Sequence, residues 1–234
     1  MKLGILETDT LDADINKKYG SYAEMFQRLF LSVDNKIEFN VYRVIEGIYP
    51  ERIEECDAYL ITGSKSSAYD CDPWIISLCN YVTDLHKQKK KLIGICFGHQ
   101  LIAHALGGRV EKSEKGWGVG NIVSNIEINQ PWMNNPEKQF SLLVSHQDQV
   151  VQLPECSTLI AANEFCPNAA FQIENHILTF QGHPEFLVEY LEYLMNKRKE
   201  LIGKEKFNIA VNSLQQKNDG KLVAQWAVNF IADI

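Results

Sequence analysis

Residues 91–108, KLIGICFGHQLIAHALGG, join a short apolar segment directly to an amphipathic one. The apolar run 91–95 is typical of a buried strand. The segment from residue 97 onward carries apolar side chains at helical spacing and closes on two glycines. At the junction, Gly-Ile-Cys-Phe-Gly places a cysteine between two glycines. We therefore predict a strand that turns sharply into a helix, with Cys96 at the turn.

The N-terminal half repeats this alternation of short apolar runs and amphipathic segments. The patterns predict strands over 2–8, 37–44 and 57–63, and helices over 16–33 and from Asp72 onward. Strands that alternate with helices in this way form a parallel sheet with helices on both faces. The first half of the chain is therefore predicted to be α/β.

The remainder of the chain has a different pattern. Residues 109–180 contain short alternating segments with few helix signals, which predicts an antiparallel or mixed extension of the same sheet. Helical periodicity returns after residue 184, with C-terminal helices predicted over about 204–232. No Pro/Gly/Ser-rich linker divides the chain. We predict one domain over residues 1–234, with a mainly parallel core and an antiparallel extension.

Composition excludes several classes of function. The chain has 234 residues, a formal net charge of −7 and a pI of about 5.4, which argues against a nucleic-acid binder that neutralises phosphates. No apolar run approaches the ~20 residues of a membrane span, and the first apolar stretch is too short for a signal peptide. The expected location is the cytoplasm, where the six cysteines stay reduced. Their spacing fits no zinc site, and we expect no metal and no cofactor.

The glycines around Cys96 have a steric explanation. A strand that turns sharply into a helix exposes the central side chain in a strained conformation, and a Cβ at Gly94 or Gly98 would collide with neighbouring backbone. The helix N-terminus favours a thiolate, and the N–H of Phe97 points toward a developing oxyanion. The pattern predicts a nucleophile. The alternative is a buried structural thiol, because short glycine patterns recur by accident.

A thiolate nucleophile needs a base, and His183 in LTFQGHPEF is the strongest candidate. It follows an apolar strand that ends at Gly182, and Glu185 stands two residues later, on the same side of an extended segment. The alternative is a strand-end histidine beside a glutamate that favours a helix dipole. Of the other histidines, His86 is expected at a solvated helix end and His176 in a hairpin turn.

The segments GICFGHQ and GHPEF together resemble the class I glutamine amidotransferase domain, which has a Cys-His-Glu triad. LITGS (60–64) is similar to the oxyanion loop of that family, and VSHQDQV (144–150) to its Ser-His-x-Asp segment. SSAYDCDPWI and NEFCPNAAFQI resemble the stand-alone GMP-synthase-like branch, which includes plant γ-glutamyl peptidases. The resemblance covers about residues 2–195 and implies a flavodoxin-like fold.

The resemblance assigns catalytic roles to five residues. It implies that Cys96 attacks the γ-carbonyl of a γ-glutamyl group, that His183 moves the proton and that Glu185 orients His183. The N–H groups of Gly63 and Phe97 would hold the oxyanion. The product would be a γ-glutamyl thioester on Cys96, which water then hydrolyses.

Three further residues are implied to bind substrate. Gln100 would contact the α-amino and carboxylate end of the glutamyl group, and Ser145 and His146 would do so largely through their backbone. The alternatives are a solvent-facing helix position for Gln100 and a loop turn with Asp148 capping for the other two.

The oxyanion loop departs from the family pattern of two glycines and a proline. Here it is Thr62-Gly63-Ser64, which keeps the central glycine and its N–H donor. The added β-carbon and the missing proline are expected to change the loop's geometry or let it move.

The resemblance leaves three functions open. The chain shows no P-loop and no dinucleotide-binding Gly-rich unit, and GWGVGN (116–121) continues into strand alternation, so GMP synthesis by this chain alone is not supported. The first function is a free-standing hydrolase of a small-molecule γ-glutamyl amide, glutamine or a peptide conjugate. The second is a glutaminase subunit that delivers ammonia to a separate synthetase. The third is a non-catalytic binding protein of the same fold. A homo-oligomer is compatible with each.

Overall fold

The computed structural model describes residues 1–134 and 137–233, in which strands and helices alternate through the N-terminal half. The strands are β1 (Lys2–Glu7), β2 (Glu38–Arg43), β3 (Ala58–Ile61), β4 (Lys91–Ile95), β5 (Arg109–Lys112), β6 (Gly118–Ile126), β7 (Gln139–His146), β8 (Asp148–Gln152), β9 (Ser157–Ala162), β10 (Ala170–Ile173) and β11 (Ile177–Phe180). The helices are α1 (Ala13–Tyr19), α2 (Tyr22–Leu31), α3 (Pro73–Lys87), α4 (Phe97–Ala105), α5 (Val188–Lys197), α6 (Lys199–Ile202), α7 (Lys204–Ser213) and α8 (Gly220–Ile231). Short 3-10 turns lie at Val44–Glu46, Ile53–Glu55 and Pro131–Met133.

Nine of the strands in the described part of the chain form one sheet, in the order β2-β1-β3-β4-β11-β10-β9-β6-β7. Neighbouring strands from β2 to β11 are parallel. Those from β11 to β7 are antiparallel. The predicted α/β fold, a mainly parallel core with an antiparallel extension of the same sheet, is confirmed.

The prediction that all strands of residues 109–180 extend this sheet is wrong for β5 and β8. These two form a separate antiparallel pair. Only Val110 of the four residues in β5 is buried, and it packs with Val150 of β8 in the cluster that contains Leu101 of α4. The pair therefore covers a helix instead of widening the sheet.

The prediction of one helix over 16–33 is also wrong, because this segment belongs to two helices, α1 and α2. Gly20 lies between α1 and α2 with φ +84°, a conformation that ends the first helix. The Ser21 side chain accepts a hydrogen bond from the N–H of Glu24, and the Glu24 carboxylate accepts one from the N–H of Ser21. This capping box begins α2.

Helices cover both faces of the sheet, as predicted. Successive residues of a strand point to opposite faces. Ile5 of β1 belongs to the cluster that contains Phe26 of α2 and Trp226 of α8, whereas Leu6 packs with Leu101 of α4. The apolar face of α8 is buried. One domain over 1–234 stays a prediction, and its boundary at residue 234 lies outside the described residues.

No helix among the residues that the structure describes is long and apolar enough to cross a membrane. The cytoplasmic location stays a prediction.

The fold brings three chain segments to one edge of the sheet. The strands β3, β4 and β11 are parallel neighbours, so the residues that follow their carboxyl ends, Gly63, Cys96 and His183, lie at the same edge. The N–H of His183 also donates to the carbonyl of Leu143 in β7, at 2.8 Å. The antiparallel extension thus returns to this edge, and it carries Ser145 with it.

Candidate active site

Cys96 lies at a sharp turn between β4 and α4. Its φ is +53° and its ψ is −99°, values that a residue with a side chain rarely adopts. A Cβ on Gly94 would lie 2.8 Å from the carbonyl oxygen of Gly98, and a Cβ on Gly98 would lie 2.5 Å from that of Ile61. Both glycines are therefore required by the close approach of strand and helix.

The turn places the Cys96 thiol at the N-terminus of α4, where it is 6% exposed. Phe97 is the first residue of this helix, so its N–H has no partner inside the helix. The unpaired N–H groups and the helix dipole stabilise negative charge there. This is a suitable position for a thiolate and for an oxyanion beside it.

His183 and Glu185 form a buried pair. The Nδ1 of His183 lies 2.7 Å from a carboxylate oxygen of Glu185, and the two residues are 4% exposed. The ring stacks on Phe186, with ring centres 3.7 Å apart. Burial opposes the charged ring, but the Glu185 carboxylate and then the Cys96 sulfur outweigh it and raise the pKa of His183 to about 10. The environment therefore favours an imidazolium.

The backbone of Gly63 lies close to both His183 and Cys96. A Cβ built on Gly63 would lie 2.8 Å from Cε1 of His183 and 3.7 Å from Cβ of Cys96. Only a residue without a side chain leaves the backbone of this loop so close to the histidine ring and the cysteine. The backbone of Gly63 thus lies beside the cysteine and the histidine ring, and its role as an oxyanion donor stays a prediction.

Thr62 fastens the loop that carries Gly63. Its Oγ1 accepts a hydrogen bond from the N–H of Thr8, at 3.0 Å, and the Thr8 hydroxyl donates to the carbonyl of Gly63, at 2.9 Å. Both threonine side chains are buried. The hydroxyl at position 62 therefore ties the loop to the chain that follows β1. This contact offers a restraint in place of the missing proline.

Gln100 lines a polar cleft of about 120 Å³ together with Cys96. It is 3% exposed, so it does not face bulk solvent. Its amide nitrogen donates to the carbonyl of Asp148 at 2.7 Å and to Gln181 at 3.1 Å. The side-chain carbonyl is then the part of Gln100 that is suited to accept a hydrogen bond from a substrate ammonium.

Ser145 and His146 also line this cleft. The Nδ1 of His146 lies 3.0 Å from the carbonyl of Asp148. Burial lowers the pKa of His146 to about 4, so its ring is neutral near pH 7. His146 is therefore a poor candidate for a charged group in the reaction.

The sequence reasoning gave no functional role to several residues of the cleft, among them Lys65, Trp117 and Arg198. Arg198 donates from Nη1 to the Oγ of Ser145, at 2.7 Å, and its guanidinium lies 4.9 Å from the centre of the Trp117 ring. In the sequence, Arg198 belongs to the run NKRKE, which reads as a solvated cationic helix end. No local pattern distinguishes it from its neighbours.

Of two histidines outside the cleft, His176 lies in the hairpin turn between β10 and β11, as predicted, and His86 differs from expectation. His86, predicted to be solvated, is half-buried, and its Nδ1 lies 2.9 Å from Nε2 of the buried His176. Burial lowers the pKa of both rings, that of His176 to about 4. Within residues 1–134 and 137–233, no group of three or more Cys, His, Asp or Glu residues is arranged to hold a metal ion.

Comparisons with known proteins identify the family of the chain. The family model "Glutamine amidotransferase class-I" matches residues 17–198. The chain is 34% identical to Gamma-glutamyl peptidase 2 of Arabidopsis thaliana over 189 residues, 78% of this chain and 75% of that protein. It is 28% identical to a glutamine-hydrolyzing GMP synthase subunit of Methanococcus vannielii over 169 residues, 71% of this chain and 83% of that protein.

Solved structures show the same fold. A glutamine amidotransferase of Thermotoga maritima superposes with a TM-score of 0.74 at 17% identity and covers 99% of this chain and 96% of its own. A second, from Methylobacillus flagellatus, has a TM-score of 0.76 at 22% identity and covers 99% and 92%. The roles of the individual residues stay predictions. The chain belongs to the class I glutamine amidotransferase family and is a cysteine-dependent amidohydrolase.

Proposed function

We propose that the chain hydrolyses the γ-amide bond of γ-glutamyl compounds through a thioester on Cys96. The observation that carries the proposal is the buried His183–Glu185 pair beside a cysteine held at positive φ on a helix N-terminus. A structural thiol needs neither the strained backbone nor a histidine whose pKa is raised by a carboxylate. The similarity to the Arabidopsis Gamma-glutamyl peptidase 2 supports the γ-glutamyl substrate.

In the first half of the reaction, Cys96 is acylated. The thiol proton of Cys96 passes to His183 before the attack, which gives a thiolate–imidazolium pair. The sulfur of Cys96 then attacks the γ-carbonyl carbon, so that a C–S bond forms. The N–H groups of Gly63 and Phe97 donate to the oxyanion of the tetrahedral intermediate. The C–N bond then breaks as the His183 imidazolium gives its proton to the leaving amine. Glu185 keeps the imidazole in one tautomer and orientation.

In the second half, water releases the glutamyl group. His183, now neutral, takes a proton from a water molecule that attacks the thioester carbonyl. The C–S bond breaks, glutamate leaves, and the Cys96 thiolate and the His183 imidazolium are restored. The same oxyanion donors serve both halves because the carbonyl carbon occupies the same place.

The experiment follows glutamate release and intact mass with glutamine and with a panel of γ-glutamyl peptides. We expect turnover, and a transient gain in mass of one γ-glutamyl group on the peptide that contains Cys96. Cys96→Ala should lose both, whereas Cys71→Ala, a matched change at an exposed cysteine, should keep both. Turnover that survives Cys96→Ala would remove this mechanism.

The competing function is a glutaminase subunit of a separate synthetase, which the similarity to the GMP synthase subunit of Methanococcus vannielii favours. The same assay separates the two functions. Peptide turnover well above glutamine turnover supports the free-standing hydrolase. Slow hydrolysis of glutamine alone, accelerated by an added synthetase, supports the subunit.

A further inference from the structure

A groove of about 340 Å³ lies next to the catalytic cleft. Lys65 and Arg198 line both spaces, so these two residues mark the junction between them. The cleft, at about 120 Å³, is the smaller of the two. A substrate whose glutamyl end fills the cleft would therefore have a second space available for the rest of the molecule. Such a use of the groove rests on the proposed γ-glutamyl hydrolysis.

The groove lies on the side of the proposed general acid. The ring of His183 stacks on Phe186, and Phe186 stacks on Tyr22, whose ring lines the groove. Tyr190 lines the groove too, with its hydroxyl 3.0 Å from that of Tyr22. Because His183 must protonate the leaving amine, the leaving group lies on its side of the scissile bond. The groove is thus placed for the leaving group.

Among the charged residues that line the groove, the two lysines are paired with carboxylates and Arg198 is not. Two carboxylates line it, and each pairs with a lysine at 3.1 Å: Asp9 with Lys65 and Asp12 with Lys197. Within the described part of the chain, Arg198 forms no ion pair with a carboxylate. The groove therefore carries three cations and two carboxylates, a local charge of +1 on a chain whose net charge is −7.

Arg198 is held in place before any ligand binds. The bond from Nη1 to the Oγ of Ser145 and the cation–π contact with the Trp117 ring restrain the guanidinium. A guanidinium has five N–H donors, and only one of them is used by Ser145. The rest retain the fork that binds a carboxylate through two parallel hydrogen bonds. Asp148 is the acidic residue that lines the cleft. Its carboxylate accepts a hydrogen bond from the Ser67 hydroxyl at 2.6 Å and forms no ion pair with Arg198.

We propose that Arg198 determines specificity by binding a carboxylate on the leaving amine. The preferred substrates are then γ-glutamyl peptides with a free C-terminal carboxylate, in preference to glutamine, whose leaving group is ammonia. Arg198 acts on binding, and the groove beside it holds the body of the leaving peptide.

The test compares a γ-glutamyl-alanyl-glycine substrate with its C-terminal amide. We expect the wild-type kcat/KM to be about tenfold to a hundredfold higher for the free acid, which is the effect of one charge-assisted bidentate contact. Arg198→Gln should bring this ratio close to one, mainly through a higher KM for the free acid. Arg198→Lys should keep part of the ratio, because it keeps the charge but not the fork. Arg109→Gln, a matched change at an exposed arginine of β5, should keep the wild-type ratio.

Two results would overturn the proposal. The first is a wild-type enzyme that does not distinguish acid from amide. The second is an Arg198→Gln variant that loses the same factor on the acid, the amide and glutamine, because Arg198 would then serve the glutamyl end or the fold.

Failure of the proposed chemistry can be recognised separately. Calorimetric binding of the two peptides to Cys96→Ala needs no turnover and reports the acid preference directly. Tighter binding of the acid that disappears in the Cys96→Ala/Arg198→Gln double variant would support the Arg198 site even if no hydrolysis occurs. Equal binding of both peptides would overturn it whatever the fate of the hydrolysis.

Discussion

The substitution Glu185→Gln tests how much the carboxylate charge of Glu185 raises the pKa of His183. Glutamine keeps the size of the side chain and a carbonyl oxygen that can accept the Nδ1–H bond now 2.7 Å long. It removes the negative charge. The imidazolium at His183 is then left buried with one less anion beside it, so its pKa must fall.

The size of the fall follows from the geometry. Two unit charges about 4 Å apart interact by about 4 kcal/mol at an effective dielectric constant near 20. One pKa unit corresponds to about 1.4 kcal/mol, so loss of the carboxylate should lower the pKa of His183 by about 3 units. From the wild-type value of about 10, this places it near neutrality.

The sign of the pH effect follows from the role of the imidazolium. His183 must carry a proton to give to the leaving amine, so acylation is lost as the pH rises through the pKa of His183. In the wild type this loss is expected near pH 10. In Glu185→Gln it should begin near pH 7, with kcat/KM at pH 8 at least about tenfold below wild type.

The assay is the pH profile of kcat/KM for a γ-glutamyl peptide between pH 5 and about 10.5, supported by an NMR titration of the His183 ring. Glu189→Gln, a matched change at an exposed glutamate of α5, should keep the wild-type alkaline limb. An alkaline limb that does not move in Glu185→Gln, in the rate profile and in the NMR titration, would refute the assigned electrostatic role of Glu185.

Two further predictions concern the loop after β3. Gly63→Ala should lower kcat by about a hundredfold or more with little effect on stability, because the new Cβ would lie 2.8 Å from Cε1 of His183 and push the ring or the loop N–H out of place. Steady-state kinetics with a circular-dichroism melt checks it, and kcat within threefold of wild type would contradict it. Thr62→Val should cost about 1–3 kcal/mol of unfolding free energy, because the buried N–H of Thr8 loses its acceptor. Urea denaturation measures this, and an unchanged midpoint would show that the contact restrains nothing.

Local sterics explain why the sequence predicts the turn at Cys96 so well. Gly94 is demanded by its contact with Gly98 within one strand–turn–helix unit, and that unit also contains the φ of +53° at Cys96. Gly98 is demanded by the close approach of Ile61 in the neighbouring strand β3. The proximity of His183 to Glu185 is equally local, since the residues are two apart in the chain. The α/β order follows from hydrophobic periodicity alone.

What the sequence did not predict depends on tertiary packing or on competing local signals. Arg198 is one of several cations in a polar helix end, and only the return of β7 to the site brings Ser145 within 2.7 Å of it. The sequence analysis missed the break between α1 and α2 for a different reason. Its signal was present as Ser21-x-x-Glu24, but the hydrophobic spacing continues across Gly20 and outweighed the cap.

The catalytic cleft and the neighbouring groove are formed by different parts of the fold. The parallel strands position the proposed reacting groups, because Cys96 and His183 follow neighbouring strands whose register is fixed by backbone hydrogen bonds. Arg198 and the groove belong instead to a helix end and to the segment after β1, whose positions depend on side-chain packing. If Arg198 binds the leaving group as proposed, changes at Arg198 should alter which leaving group is accepted without moving Cys96 or His183. On this reasoning, glutamine hydrolysis should survive substitutions in the groove that abolish discrimination among peptides.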